Sequence, residues 1–205
     1  MLEGITAGFI LSLSLFPGTV WLGKVGLAGR VDQVLAVGFA FALSQLLWLI
    51  VAVPGLMMMT RHLGFAESVM HAFAAFVLAY MAYKFFRSRA ATTLAVESPL
   101  VGPHRLFFDA FKRSFAMPMR LPAAMAILMA TGVFVHHPPV PAMVPEILTG
   151  TVLGVAWWWG QFTFLSAVFA KRVPERITIR SLNKIRPFCT VLFAFLALVV
   201  LVLAG

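Results

Sequence analysis

Charged side chains divide this sequence into long apolar blocks. Stretches free of Asp, Glu, Lys and Arg run Gly4–Gly23, Gln33–Thr60, Ser68–Tyr83, Leu121–Pro145, Ile147–Ala170 and Pro187–Gly205. Within each block the apolar residues are continuous, whereas membrane-barrel strands show short alternating stretches. A helix satisfies its own backbone groups in lipid and needs about 20 mostly apolar residues to cross. Ser68–Tyr83 reaches the lower limit of about 17 once Phe65 and the stem of Lys84 are added, the ammonium of Lys84 snorkelling to the interface. The pattern predicts an all-α, polytopic membrane protein with six transmembrane helices.

The basic residues between the blocks predict an orientation. Lys24 and Arg30 follow the first helix and Arg61 the second. Lys84, Arg87, Arg89, Arg105, Lys112 and Arg113 follow the third. The connection around His136-His137-Pro138-Pro139 carries none, and the fifth carries Lys171, Arg172, Arg176, Arg180, Lys184 and Arg186. Lys and Arg concentrate on the cytoplasmic side. The first, third and fifth connections are therefore expected inside and both termini outside.

The longest connection, residues 88–105, contains the turn formers Ser98, Pro99, Gly102 and Pro103 and separates two half-repeats, 1–87 and 106–205, of one membrane domain. Three helices per half force the second half to be inverted, an arrangement common among transporters. A weak internal echo supports a 3+3 inverted repeat. Leu15-Phe16-Pro17-Gly18 faces Arg120-Leu121-Pro122-Ala123, and Gln45 in the second helix is matched by Gln161 in the fifth.

Composition sharpens the picture. Of 205 residues, 61% are hydrophobic and 11% charged, against roughly half and a quarter in soluble domains. The net charge of +9 is dispersed between apolar blocks, not gathered on a basic face, which argues against nucleic acid. A single cysteine, Cys189, excludes an internal disulfide and a CxxC redox pair. Glu3, with no nearby Lys or Arg, gives no expectation of a cleavable leader.

Candidate chemistry centres on two kinds of position. Pro17-Gly18 lies well inside the first block, where proline removes a backbone hydrogen bond and clashes with the preceding turn. A helix broken there offers free N–H groups and a positive dipole end to an anionic group. A packing kink without a ligand is the alternative for Pro17, and the expected role for Pro122, which suits a helix first turn. Ser44, Gln45 and Gln161 are the polar interruptions of the second and fifth blocks, with Thr163 beyond. They either line a watery cavity or bond between helices.

No Asp or Glu lies well inside a predicted span, and only His71 among the histidines does, so the usual carboxylate proton relay has no candidate. Lys24 and Arg120 flank the two proline sites. They are expected to snorkel, with attraction of a carboxylate as the alternative. His136-His137 reads as an exterior loop and not a metal site. Trp157-Trp158-Trp159 reads as an interfacial belt or a lining. Gly4-xxx-Gly8 and Gly150-xxx-Gly154 permit close helix contact, within one chain or between chains. The basic stretch Lys171–Arg186, interrupted by Pro174, reads as a lipid-facing anchor. No HExxH, GxSxG or phosphate-cradling loop occurs, so no enzyme and no cofactor are expected.

The order of these features resembles the lysine-exporter (LysE/RhtB-type) amino-acid translocators over nearly the whole chain. Their Pro-Gly-Pro element is matched by Pro17-Gly18-Thr19. Their second-helix Gly-x-x-x-Gly-Asp, followed by Gly-Leu, is matched by Ala40-Phe41-Ala42-Leu43-Ser44-Gln45 and Gly55-Leu56. Ala75–Lys84 followed by Arg87 is similar to their third helix, and Leu121-Pro122-Ala123 stands where they carry Asn-Pro-Lys. By resemblance Pro17 and Gly18 form the first-helix motif. Gln45 stands at the family's acidic position without its charge, which sets this chain apart from proton-driven export through that carboxylate.

The resulting expectation is an inner-membrane exporter of small neutral amino acids or similar zwitterionic or anionic solutes. Alternating access would carry the solute past Pro17, Gly18, Ser44, Gln45 and Gln161. Its partners would be the solute and membrane lipids, with a second copy or another membrane protein as further possibilities. The alternative expectation is a degenerate transporter fold kept as a structural or lipid-binding subunit of a larger membrane assembly.

Overall fold

The computed structural model of the chain describes all residues except 29, 63–65, 95–101, 118, 133–143, 170–171 and 204–205. The described residues form eight α-helices and no strand. They are α1 (Leu2–Leu13), α2 (Phe16–Ala28), α3 (Val31–His62), α4 (Ala66–Arg87), α5 (Pro103–Phe115), α6 (Arg120–Ala130), α7 (Val144–Phe169) and α8 (Glu175–Leu203).

Four of these, α3, α4, α7 and α8, are each long and apolar enough to cross a membrane. The 32 residues of α3 extend about 48 Å at 1.5 Å per residue, beyond the roughly 30 Å of hydrocarbon. The first apolar block is instead two helices, α1 and α2, bent by 68° and long enough to cross only as a pair. From the fourth block, α6 is an apolar helix of 11 residues. Residues 133–143, which include His136, His137 and the prolines beside them, lie outside the described residues.

The sequence pattern did not anticipate α5, in the connection before the fourth block. Its face Leu106, Ala110 and Ser114 is buried while Arg105, Asp109, Lys112 and Arg113 are exposed. A search for uncharged runs passes over such an amphipathic helix.

The break after α1 follows from proline chemistry. Pro17 offers no N–H to the Leu13 carbonyl, and its ring crowds that carbonyl, so α1 ends at Leu13. The chain turns tightly through Leu15 N–H to Ser12 O at 3.1 Å and Gly18 N–H to Leu15 O at 2.9 Å. A Cβ at Gly18 would sit 2.9 Å from Leu15 Cγ and 3.2 Å from a ring carbon of Phe41. Glycine there lets α2 fold back against α3. Pro54 and Pro187 lie inside α3 and α8 without ending either helix.

Two long seams hold the bundle. Along α1 and α7 the small residues of both Gly-xxx-Gly pairs meet within this one chain. A Cβ at Gly4 would lie 2.9 Å from the Ile147 carbonyl and one at Gly150 2.7 Å from that of Met1. Cβ atoms at Gly8 and Gly154 would overlap the carbonyls of Thr151 and Ile5. The contacts advance together along both helices, so α1 and α7 are parallel. Between α4 and α8 they run oppositely: Phe85 stacks on Phe193 at 5.5 Å, and Arg186 Nε donates to Ser88 Oγ at 2.8 Å. Ala91 and Asn183 close that antiparallel seam with two hydrogen bonds.

Helices α3 and α5 are parallel, with Ser44 against Ser114 and Trp48 stacked on Phe115 at 4.8 Å. Helices α3 and α7 are antiparallel, with Phe41 stacked on Trp159 at 5.0 Å and Gly38 against Thr163.

These pairings set the two ends of the molecule. At one, the Met1 amino group meets Glu146 at 3.0 Å, joining the start of α1 to the start of α7. At the other, the segment after α4 meets the start of α8, where Leu94 N–H donates to Glu175 at 2.8 Å.

Candidate functional site

The break between α1 and α2 opens onto a cavity of about 240 Å³. Ser14 and Pro17 line it from the break, and Met119, Arg120 and Ala123 line it from the start of α6. Tyr80, Met81, Lys84 and Phe85 from α4 close the side. The site lies where one interrupted helix faces the start of another. A wider vestibule of about 620 Å³ adjoins it and shares Pro17, Ser88 and Met117. The vestibule is lined by Lys24, Arg89 and Arg113, with the Arg113 guanidinium 5.4 Å over the Trp21 ring.

Both spaces are electrostatically one-sided. Lys24, Lys84, Arg89, Arg113 and Arg120 border them, and no Asp or Glu is among the described residues that line them. Of the five cations, Lys84, Arg89 and Arg113 are exposed and Lys24 is half-buried. Arg120 is buried: it is 5% exposed, and its Nε has no hydrogen-bond partner among the described residues. Its Nη2 rests 3.4 Å from the sulfur of Met117, a weak acceptor. A buried guanidinium without an anion is costly, so it marks an incomplete site. The expectation that Arg120 snorkels therefore gives way: α6 begins at Arg120 and turns it inward against α4 and the α1 break.

Pro17 and Gly18 both border this region, Pro17 on both spaces and Gly18 on the vestibule. Ser44 and Gln45 do not. Gln45 is 1% exposed, and both the oxygen and the nitrogen of its amide are hydrogen-bonded. Its Oε1 accepts from Ser12 Oγ at 3.1 Å and from Trp159 Nε1 at 2.7 Å, and its Nε2 donates to the Leu11 carbonyl at 3.1 Å. That carbonyl sits in the last turn of α1, where the break leaves acceptors without their usual donors. Gln45 thus ties α1, α3 and α7 together one turn from the break. Ser44 pairs with Ser114 at 2.6 Å and holds α5 to α3. Gln161 is exposed on the outer face of α7, apart from Gln45, and lines neither space.

Of the three tryptophans in sequence, Trp157 is exposed, Trp158 packs edge-on to Phe9 at 5.3 Å, and Trp159 is buried against Phe41 and Gln45. A separate open groove on α8 is lined by Arg176, Arg180, Asn183 and Lys184, within the predicted anchor stretch. No group of three His, Cys, Asp or Glu gathers among the described residues to hold a metal.

Sequence reasoning did not single out Tyr80, Met81 or Ser14, which line the cavity. A tyrosine or serine in an apolar block carries too weak a signal until the helices are placed. For Arg120 the signal was present, a lone cation at the start of an apolar block. No protein-family model, curated protein or solved structure matches the chain.

Proposed function

We propose that this chain is an inner-membrane carrier that exports small neutral amino acids or similar zwitterionic or anionic solutes by alternating access. The observation that carries the reading is the cavity between the broken first helix and the start of α6. Transporters build solute sites from interrupted helices whose ends offer unpaired backbone groups and dipoles. Outward direction follows from the resemblance to lysine exporters.

The helix pairings support the 3+3 inverted repeat, with α6 the described part of the fourth expected span, Leu121–Pro145. Exchanging α1 with α5, α2 with α6, α3 with α7 and α4 with α8 maps the parallel pair α1·α7 onto the parallel pair α5·α3. It maps each of the antiparallel pairs α3·α7 and α4·α8 onto itself. Each half then opens with a short helix, a break and a second short helix. The shared end for the connections after α4 and before α8 supports their common cytoplasmic placement, with the start of α1 outside. In this conformation Gln45 is committed to the helix clamp, so a substrate role for Gln45 requires that clamp to open.

Uptake into inverted vesicles, screened over a solute panel with and without a proton gradient, tests the proposal. Saturable accumulation of a small amino or organic acid supports it, and none across the panel in correctly inserted protein refutes it. The same clamp would persist in a non-transporting subunit. Retention of foreign chains in stoichiometric amount through detergent purification, read by native mass, would favour that alternative.

A further inference from the structure

We infer that Arg120 anchors a binding site for small monocarboxylates that carry an apolar body and no positive side chain. The inference rests on the transport reading and narrows it to a substrate class.

Three features of the cavity converge on this chemistry. First, the buried Nε of Arg120 has no partner among the described residues, and Nη2 has only a thioether sulfur. A guanidinium stays charged at any physiological pH and offers a planar fork that matches a carboxylate. A carboxylate bound there supplies the missing counter-charge and accepts charge-assisted hydrogen bonds in a low-dielectric setting. Second, Arg120 opens α6, whose N-terminal end adds partial positive charge on the same side.

Third, the remaining wall sorts the rest of the molecule. Met81, Phe85, Met119 and Ala123 present an apolar surface. The hydroxyl-bearing Ser14, Tyr80 and Ser88 are the neutral polar side chains beside them. With no Asp or Glu among the described residues that line the space, a cationic side chain would be repelled by Lys84 and Arg120. The cavity volume of about 240 Å³ leaves room for a short-chain acid. The vestibule cations Lys24, Arg89 and Arg113 raise the local concentration of anions at the entrance.

The test is isothermal titration of the full chain in neutral detergent with three isosteres: isovalerate, isovaleramide and isopentylamine. Isovalerate is expected to bind at least about tenfold more tightly than either of the others, the margin of a charge-assisted pair. Arg120→Gln is expected to bring isovalerate down to the level of the amide. Arg180→Gln, which removes a cation from the separate groove on α8, is expected to leave it unchanged.

Equal binding of the three isosteres, no binding of any, or wild-type affinity in Arg120→Gln overturns the inference. Inorganic phosphate binding more tightly than isovalerate, with phosphatidylglycerol in nanodiscs displacing isovalerate, reassigns the site to a lipid headgroup and overturns it as well. If Arg120→Gln does not fold, the wild-type comparison still decides. Ala123→Leu, which fills the cavity and keeps the arginine, is then expected to weaken isovalerate at least about tenfold. Carboxylate-selective binding without vesicle flux would overturn the transport reading alone. Flux of a solute that lacks a carboxylate would overturn this inference alone.

Discussion

Trp159 donates its indole N–H to the side-chain oxygen of Gln45 at 2.7 Å, across the antiparallel crossing of α7 and α3. The same amide reaches Ser12 and the Leu11 carbonyl on α1, so one side chain fastens three helices beside the break. The amide therefore secures the surroundings of the cavity while lying outside its lining.

Gln45→Leu removes all three bonds and leaves the buried Trp159 N–H without its partner, while the Leu11 carbonyl keeps the Ser14 N–H and hydroxyl. Interhelical hydrogen bonds in membrane proteins contribute about 0.6 kcal/mol each and up to about 1.7. We expect a loss of about 1–3 kcal/mol, seen as a lowered midpoint in detergent unfolding. An unchanged midpoint would show that the clamp does not hold the bundle.

The α1·α7 seam predicts a sharp contrast between glycines. Gly8→Ala places a methyl group on the Thr151 carbonyl, and neither backbone can retreat without separating the helices. Overpacking of this kind costs about 1–3 kcal/mol. Gly55→Ala in α3 meets nothing within 4 Å and gains helix propensity of about 0.5–1 kcal/mol. Thermal unfolding of the two variants should therefore shift in opposite directions, and a shift in the same direction contradicts the seam.

Pro17→Ala restores an N–H to the first apolar block and favours one continuous helix through Ser14 and Leu15. We expect the inserted variant to lose vesicle uptake by at least about tenfold, because the cavity wall depends on the bend. Retained uptake would show that the bend is only a packing kink.

Much of the architecture was legible because uncharged length is a direct physical requirement of lipid. In their described residues, the blocks starting at Gln33, Ser68, Ile147 and Pro187 lie in helices long and apolar enough to cross. The interruption at Pro17 was also legible, since proline chemistry acts locally. The structure puts the break itself at Ser14 and Leu15, a turn earlier, because the clash falls on the carbonyl four residues back.

What the sequence hid was three-dimensional. The direction in which Arg120 points depends on α4 and on the α1 break packed around it. The two glutamines look equivalent in a hydropathy trace, yet Gln45 faces the core and Gln161 the surface. Helix α5 is hidden in the sequence because its charges, gathered on one face, interrupt the uncharged run that marks a span.

Alternating-access transport requires the two ends of the bundle to lie on opposite sides of a membrane. Cys189 is fully buried, so single cysteines can be introduced elsewhere with little background. Thr92→Cys, in the segment joined to α8, and Thr149→Cys, exposed near the start of α7, report one end each. Treated with a membrane-impermeant maleimide, Thr92→Cys should label in inverted vesicles only and Thr149→Cys in right-side-out vesicles only. Labelling of both from one side of the membrane would contradict the account.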